Sequence, residues 1–122
     1  MSDDRERPCA WLTTLRRDGS PHTTPVWFLL INETFWVASS TANVKVGNIL
    51  RDPRVSLAVD GTGARPHVAE GRVTVHRRIR DFPHLFALLA EKYNGWEAAD
   101  ESQDGPRVLL EVPVQRWLLG GD

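Results

Sequence analysis

The chain has 122 residues, a formal net charge of −1 and basic residues scattered along its whole length. This size predicts one domain with a substantial hydrophobic core, and the scattered charge excludes a typical nucleic-acid-binding footprint. The single cysteine cannot form an intramolecular disulfide, and no apolar run reaches the roughly 18 residues of a membrane span. Because no signal peptide is recognisable, we expect a soluble cytoplasmic protein without a membrane partner. Residues 1–8 are expected to be a disordered or short N-terminal arm, followed by one domain over residues 9–122.

The first predicted element is an antiparallel hairpin. Residues 9–15 (CAWLTTL) form its first strand, residues 21–31 (PHTTPVWFLLI) its second, and Asp18-Gly19 the tip of the turn. Pro25 removes a backbone donor from the second strand, so we expect it at a sheet edge, at a bulge or beside something other than a strand. Cys9 lies in an apolar run and is interpreted as a small buried side chain, not as a nucleophile.

A strand over residues 34–39, a hydroxyl-rich turn, a short helix and a strand over residues 54–60 follow. The hydroxyls of residues 39–41, most plausibly that of Thr41, can accept from the free N–H groups that open the helix. Three- and four-residue spacing gives the helix two stripes: the apolar Val46, Ile49 and Leu50, and the polar Lys45, Asn48 and Asp52. Pro53 ends the helix, because the residue before a proline is pushed out of α geometry.

The start of this helix combines three features that bind anions. Free N–H groups, hydroxyl donors and the cation Lys45 lie within one helical turn, and phosphate is the usual guest of a helix N-terminus. The residues alone favour the alternative, in which the hydroxyls cap the helix and Lys45 is solvated. Neither a GxxxxGK[ST] loop nor a GxGxxG motif is present, so a P-loop and a Rossmann site are excluded.

The second half of the chain predicts two more strands and one more helix. A strand over residues 66–77 contains Gly71, which indicates a bulge or a close approach. Asp81 is expected to cap a helix with Pro83 in its first turn. A polar, acidic loop of low order over residues 94–105 precedes a last strand over residues 109–118. Six strands with two short helices, at spacings too short for βαβ crossovers, predict a small antiparallel barrel.

The sequence contains no recognisable catalytic set. The four histidines lack metal-ligand spacing, so no metal site is expected, and Ser39 and Ser40 lack the GxSxG setting of a nucleophile. If the protein is an enzyme, a cofactor must supply the chemistry while the protein binds and orients. No catalytic residue is assigned.

Two motifs carry a resemblance to a known family: DGSPH…PVWF in the hairpin and K-x-x-N-I-x-x-DPRVSL in the central segment. Together with the VAEGRVTV strand, they resemble the split β-barrel flavin and deazaflavin oxidoreductases, the pyridoxamine 5'-phosphate oxidase-like superfamily. The resemblance is closest to the branch that uses coenzyme F420. It implies a mainly β fold, a six-stranded antiparallel split β-barrel with two short helices, forming a homodimer with cofactor sites at the dimer interface. Residues 9–122 would then be the cofactor-binding domain.

The resemblance also implies the site residues. Thr24, Pro25, Val26 and Trp27 would line the cofactor's ring system, partly through their backbone. The ribityl chain and phosphate would meet Ser39, Ser40, Asn43 and Lys45, with Asn48 as a weaker candidate. Lys45 is thereby favoured as the phosphate cation. Family members that oxidise vitamin B6 carry further basic residues where this chain has residues 24–26 and Val44, which disfavours that reaction and tight FMN binding.

The resulting hypothesis is a coenzyme F420-dependent reductase that transfers hydride to an electron-poor double bond of a small-molecule substrate, such as an enone or a quinone. One alternative is a reductase of the same fold that uses FMN or FAD. The other is a cofactor-binding protein without turnover of its own. A small barrel without any ligand remains the least favoured interpretation.

Overall fold

The computed structural model describes residues 8–59, 66–102 and 104–119. The expected N-terminal arm, apart from Pro8, lies outside the described residues. The strands are β1 (Ala10–Leu15), β2 (Pro21–Val26), β3 (Leu29–Ile31), β4 (Thr34–Ser40), β5 (Arg54–Val59), β6 (His67–Arg72), β7 (Thr74–His76) and β8 (Arg107–Leu119). The helices are α1 (Val44–Arg51) and α2 (Pro83–Lys92), and a 3₁₀ turn at Ile79–Asp81 precedes α2.

All eight strands belong to one curled antiparallel sheet. The strand order is β2-β1-β5-β6-β8-β4-β3, and β7 pairs with β8 beside this path. The long strand β8 pairs with β6 at one end and with β4 and β7 at the other, which curls the sheet around the core. The predicted fold class, a mainly β split barrel with two helices, is confirmed. The described part of the chain contains eight strands and not six, because two predicted strands are each divided.

The first division falls at Trp27 and Phe28, between β2 and β3. The backbone N–H of Phe28 donates to the Tyr93 hydroxyl at 2.9 Å, and its carbonyl accepts from Lys92 at 2.8 Å. Lys92 in α2 and Tyr93 at its end thus bond to backbone groups that a neighbouring strand would otherwise pair with. β2 itself pairs with β1 alone and forms the sheet edge, so Pro25 lies at an edge as predicted.

The second division falls at Val73, where β6 gives way to β7. The pairing of β6 with β8 shifts register between Glu70 and Gly71. A Cβ at Gly71 would lie 2.6 Å from the carbonyl oxygen of Pro113, so only glycine fits between the two backbones. The predicted bulge or close approach at Gly71 is confirmed.

Both predicted side-chain caps are wrong. The residue that precedes α1 is Asn43, which makes no side-chain capping bond, while Thr41 lies two residues further out. The hydroxyl of Ser40 instead accepts from the N–H of Ala42 at 3.1 Å, inside the turn. Phe82 precedes α2 in the same uncapped way, because Asp81 belongs to the 3₁₀ turn, although Pro83 opens the helix as predicted.

The core consists of two clusters on opposite faces of the sheet. The larger fills the barrel and receives Val46 and Ile49 from α1. Leu50, predicted to share their stripe, is exposed. The smaller cluster lies under α2, where Leu85 and Leu89 pack against Leu109. Cys9 is half-buried with a free thiol, less enclosed than predicted. Among the described residues, no helix is long and apolar enough to cross a membrane.

Candidate functional site

A cavity of about 610 Å³ opens between the end of β2, the start of α1 and the loop that follows α2. Its lining combines apolar, hydroxyl, amide and charged groups. The lining residues are Pro25, Val26, Trp27, Val37, Ala38, Ser39, Asn43, Lys45, Gly95, Trp96, Glu97, Asp100, Asp104 and Arg107. The structure therefore brings together six of the nine residues named by the resemblance and leaves out Thr24, Ser40 and Asn48.

Trp27 forms an aromatic wall at one side of the cavity. Its indole is 45% exposed and stacks in parallel on the ring of Tyr93, with centroids 4.4 Å apart and an interplanar angle of 4°. Trp96 meets it edge-on at 4.8 Å. Stacked and edge-to-face contacts restrict the tilt of the indole, so this wall is fixed before any ligand arrives.

Tyr93 and Lys92, which lie outside the cavity lining, support the wall at Trp27 and Phe28. The Tyr93 hydroxyl accepts from the N–H of Phe28 and lies 2.9 Å from the carbonyl oxygen of Pro8, to which it can donate. The Lys92 ammonium lies 3.7 Å from the centroid of the Phe28 ring, and burial lowers the pKa of Lys92 to about 8. Desolvation also raises the pKa of Tyr93. These groups are a support for Trp27, since neither Lys92 nor Tyr93 lines the cavity.

The polar end of the cavity is built on the turn before α1. The Ser39 hydroxyl donates to the Asn43 side-chain oxygen at 2.5 Å, and the N–H of Ser40 also points to that oxygen, at 3.3 Å. Because this oxygen is an acceptor for both, the amide nitrogen of Asn43 remains available as a donor. Ser40 is buried and donates to the backbone oxygen of Asp104 at 2.5 Å, so its hydroxyl serves the turn and not the cavity.

Lys45 is a half-buried cation in the cavity wall. Within the described part of the chain its ammonium makes no hydrogen bond and no ion pair. Desolvation lowers the pKa of Lys45, the Arg107 guanidinium lowers it further, and Asp104 opposes the shift. The ammonium is therefore partly stripped of water without a fixed protein acceptor, which suits an anionic ligand.

Asn48 and Thr24 point elsewhere. The Asn48 side chain is buried between α1 and β1, where its amide donates to the Thr14 hydroxyl at 3.0 Å and its oxygen accepts from Arg51 at 2.9 Å. Its hydrogen bonds hold the helix on the sheet, and Asn48 lies outside the cavity lining. The Thr24 hydroxyl is a buried atom without a hydrogen-bond partner among the described residues, outside the cavity lining.

The loop after α2 supplies the part of the site that the sequence did not reveal. Its described residues form successive turns, in which the N–H of Trp96 donates to the backbone oxygen of Tyr93 and the N–H of Gly105 donates to that of Glu101. These turns carry Glu97, Asp100 and Asp104 to the cavity beside Arg107 of β8. Hydrogen bonds from Ser102 hold the pKa of Asp100 below its usual value. The acidic, polar composition of this loop does not predict from the sequence that it lines a cavity.

A second concavity lies at the other end of α1. Arginines dominate its lining: Arg16, Arg17, Arg51 and Arg54. Arg16 donates to the Pro21 carbonyl at 2.6 Å, and Arg54 forms an ion pair with Asp52 at 2.7 Å. These guanidinium groups secure the hairpin and the helix end, which leaves the first cavity as the candidate site. No group of metal-ligating side chains is found among residues 8–59, 66–102 and 104–119.

A curled antiparallel sheet of this topology, with a mixed polar and aromatic cavity at the helix start, defines the class of split-barrel proteins. The family model for pyridoxamine 5'-phosphate oxidase matches residues 5–119, and the chain belongs to that family. The match spans both motifs and the whole of the described sheet.

Solved structures with the same fold belong to proteins with different functions. An F420 reductase is 24% identical, with a TM-score of 0.77 over 93% of this chain and 91% of its own. HutZ, the heme storage protein of Vibrio cholerae, is 21% identical, with a TM-score of 0.77 over 95% and 88%. A FAD-binding protein of Mesorhizobium loti is 19% identical, with a TM-score of 0.73 over 93% and 86%. A search of curated protein sequences finds no match. At these identities the likeness establishes the fold alone.

Proposed function

We propose that the chain is a reductase that binds coenzyme F420 in the cavity beside Trp27 and transfers hydride to an electron-poor double bond, with FMN or FAD as the alternative cofactor. The observation that carries the proposal is the pairing, in one cavity, of a fixed aromatic wall with a half-buried cation that has no hydrogen bond or ion pair among the described residues. Neither Trp27 nor Lys45 belongs to the two core clusters of the described residues.

The dimensions and chemistry of the cavity fit a phosphate-bearing ring system. A volume of about 610 Å³ lies within the range of roughly 300–1,000 Å³ that is usual for ligand pockets. Residues 25–27 offer an apolar surface for a flat ring. At the other end, the hydroxyl of Ser39, the amide nitrogen of Asn43 and the ammonium of Lys45 offer donors to a sugar-like chain and a phosphate.

When bound, the reduced cofactor supplies a hydride, and the acceptor double bond takes the balancing proton from solvent. The protein's part is binding and orientation. The Trp27 wall fixes the plane in which a ring can lie, and Lys45 at the far end fixes how deeply it enters. Holding two reactants in contact geometry is worth several orders of magnitude in rate, without any protein acid or base.

A binding protein without turnover is the second candidate, and a specific observation favours it. The described cavity lining contains no histidine, cysteine or tyrosine. Among its carboxylates, Asp100 is held ionised by hydrogen bonds from Ser102. A substrate that needs a histidine, cysteine or tyrosine as its general acid would therefore find none in this lining. A reductase of this design suits acceptors that solvent can protonate.

Titration of the purified protein with F420, FMN and FAD, followed by fluorescence quenching, tests the proposal. We expect saturable binding of F420, and weaker binding of FMN because fewer basic residues surround the site than FMN-dependent vitamin-B6 oxidases carry. FMN that copurifies, with no saturable quenching by F420, would replace the deazaflavin with a flavin. Saturable binding with no oxidation of the reduced cofactor by menadione or cyclohexenone would favour the non-catalytic candidate.

We further propose that the protein is a homodimer whose partner closes the cavity. Trp11 of β1 is 44% exposed, and its register partner is Pro25 of the edge strand β2. Pro25 itself lines the cavity. This apolar strip is continuous with the site, and a second copy would bury it. We expect a dimer by light scattering at micromolar concentration. Trp11→Glu should shift it toward monomer and weaken cofactor binding. A wild-type monomer, or a dimer indifferent to this change, would contradict the proposed interface.

A further inference from the structure

Arg107 is a nearly buried cation with few partners. Its side chain is only 9% exposed, yet it lines the cavity. Its Nε donates to the carbonyl oxygen of Ala98 at 2.8 Å, which fixes the plane of the guanidinium group. Its other side-chain contact among the described residues is a loose ion pair, 3.8 Å from Nη1 to a carboxylate oxygen of Asp104. A guanidinium group carries five N–H donors, so most of them are left for a ligand.

Lys45 and Arg107 are both charged groups in the lining of the same cavity. The charge of Arg107 is close enough to lower the pKa of Lys45. Two neighbouring cations that repel each other gain from an anion held between them. Asp104 is the carboxylate near both of them, and it raises the pKa of each. These three groups together carry a charge of +1, and the Asp100 carboxylate, which also lines the cavity and raises the pKa of Arg107, adds one negative charge beside them.

Building on the proposed function, we infer that Lys45 and Arg107 hold the cofactor's phosphate jointly, and that Asp104 restricts this position to a phosphodiester with a single negative charge. A phosphomonoester carries about −1.5 to −2 at neutral pH. The second charge of a monoester is disfavoured by the Asp104 carboxylate, with that of Asp100 beside Arg107, whereas a diester brings a single negative charge to the two cations. F420 bears such a diester and FMN bears a monoester, so Asp104 selects between cofactors with similar rings.

Asp104 can be changed without disturbing the turn that carries it. The contact that fastens this residue is the bond from the Ser40 hydroxyl to its backbone oxygen, which survives any side-chain substitution. Its side chain is 56% exposed and reaches Arg107 only at 3.8 Å. Asp104→Asn should therefore leave the fold intact and make the local charge more positive by one unit. Asp81 offers a matched control: its side chain is 51% exposed and its carboxylate lies 3.7 Å from Arg78, outside the cavity lining.

The experiment uses three ligands that share one ring: riboflavin, riboflavin 4′,5′-cyclic phosphate and FMN, with phosphate charges of zero, one and nearly two. For the wild type we expect the cyclic diester to bind tightest. Asp104→Asn should strengthen FMN binding by about two- to fivefold, the range for a screened, exposed charge pair. The cyclic diester should gain less and riboflavin nothing, while Asp81→Asn should change none of the three.

Substitutions of Arg107 should change phosphate binding in the direction opposite to Asp104→Asn. Arg107→Gln should weaken both phosphate-bearing ligands by about tenfold and leave riboflavin unchanged, and Arg107→Lys should restore part of the loss because the charge remains. If the cavity accepts only deazaflavins, F420 and its phosphate-free form replace the flavins, and Arg107→Gln must weaken F420 alone. Equal effects on the phosphate-free ligand, or no gain for FMN in Asp104→Asn, overturn the inference. Absence of binding by every flavin and deazaflavin would instead refute the proposed function.

Discussion

Replacing Lys45 with alanine should weaken cofactor binding by about ten- to a hundredfold, while the melting temperature of the ligand-free protein stays nearly unchanged. A charge-assisted hydrogen bond to phosphate contributes about 1.5–3 kcal/mol, which corresponds to this change in the dissociation constant. Folding should not suffer, because Lys45 has no partner within the described residues and its ammonium is already desolvated. Removal of this half-buried charge, which has no partner among the described residues, also removes its desolvation penalty.

The measurement is fluorescence titration with F420 and FMN, beside differential scanning calorimetry of the apo-protein. Riboflavin is the ligand control, because it lacks the phosphate and should bind both variants equally. Arg80→Ala is the protein control, since Arg80 is exposed and lies outside the cavity. Added salt should weaken the wild type more than the Lys45 variant. An unchanged dissociation constant would return Lys45 to a solvated surface role, and a collapsed melting temperature would make it structural.

Local patterns were enough to predict much of the sheet. The Asp-Gly turn, the edge position of Pro25 and the close approach at Gly71 each follow from the geometry of a single residue type. Such signals survive in any tertiary context, because a proline lacks its N–H and only glycine tolerates a backbone at 2.6 Å. The divided strands were not predictable, since the division at Phe28 depends on side chains 64 and 65 residues away.

The site was predictable where it rests on one segment and unpredictable where two segments meet. Ser39, Asn43 and Lys45 are neighbours in sequence around the start of α1, so their common location follows from the helix itself. Asn48 shares the spacing of Lys45, yet its partner Thr14 lies on β1 and removes it from the cavity. Arg107 could not be anticipated, because its approach to Lys45 depends on the pairing of β8 with β4.

The second large effect is expected from Tyr93, which supports the aromatic wall at Trp27. Tyr93→Phe should lower the free energy of unfolding by about 1–3 kcal/mol, because it leaves the N–H of the fully buried Phe28 without its acceptor. The phenyl ring that remains still stacks on Trp27, so the change isolates the hydroxyl from the packing of the ring. With Phe28 less firmly held, Trp27 should lose its fixed orientation and cofactor binding should weaken.

Urea unfolding at one fixed protein concentration measures the loss as a lower midpoint with an unchanged slope. Near-ultraviolet circular dichroism should report a weaker tryptophan signal in the folded variant. Thr23→Val is the matched control, since it also deletes a hydroxyl, but one that is exposed and 2.9 Å from that of Thr13. Its effect should stay within about 0.5 kcal/mol. If the two substitutions prove equally mild, the Phe28 N–H must find another acceptor, and Trp27 would then be held by ring stacking alone.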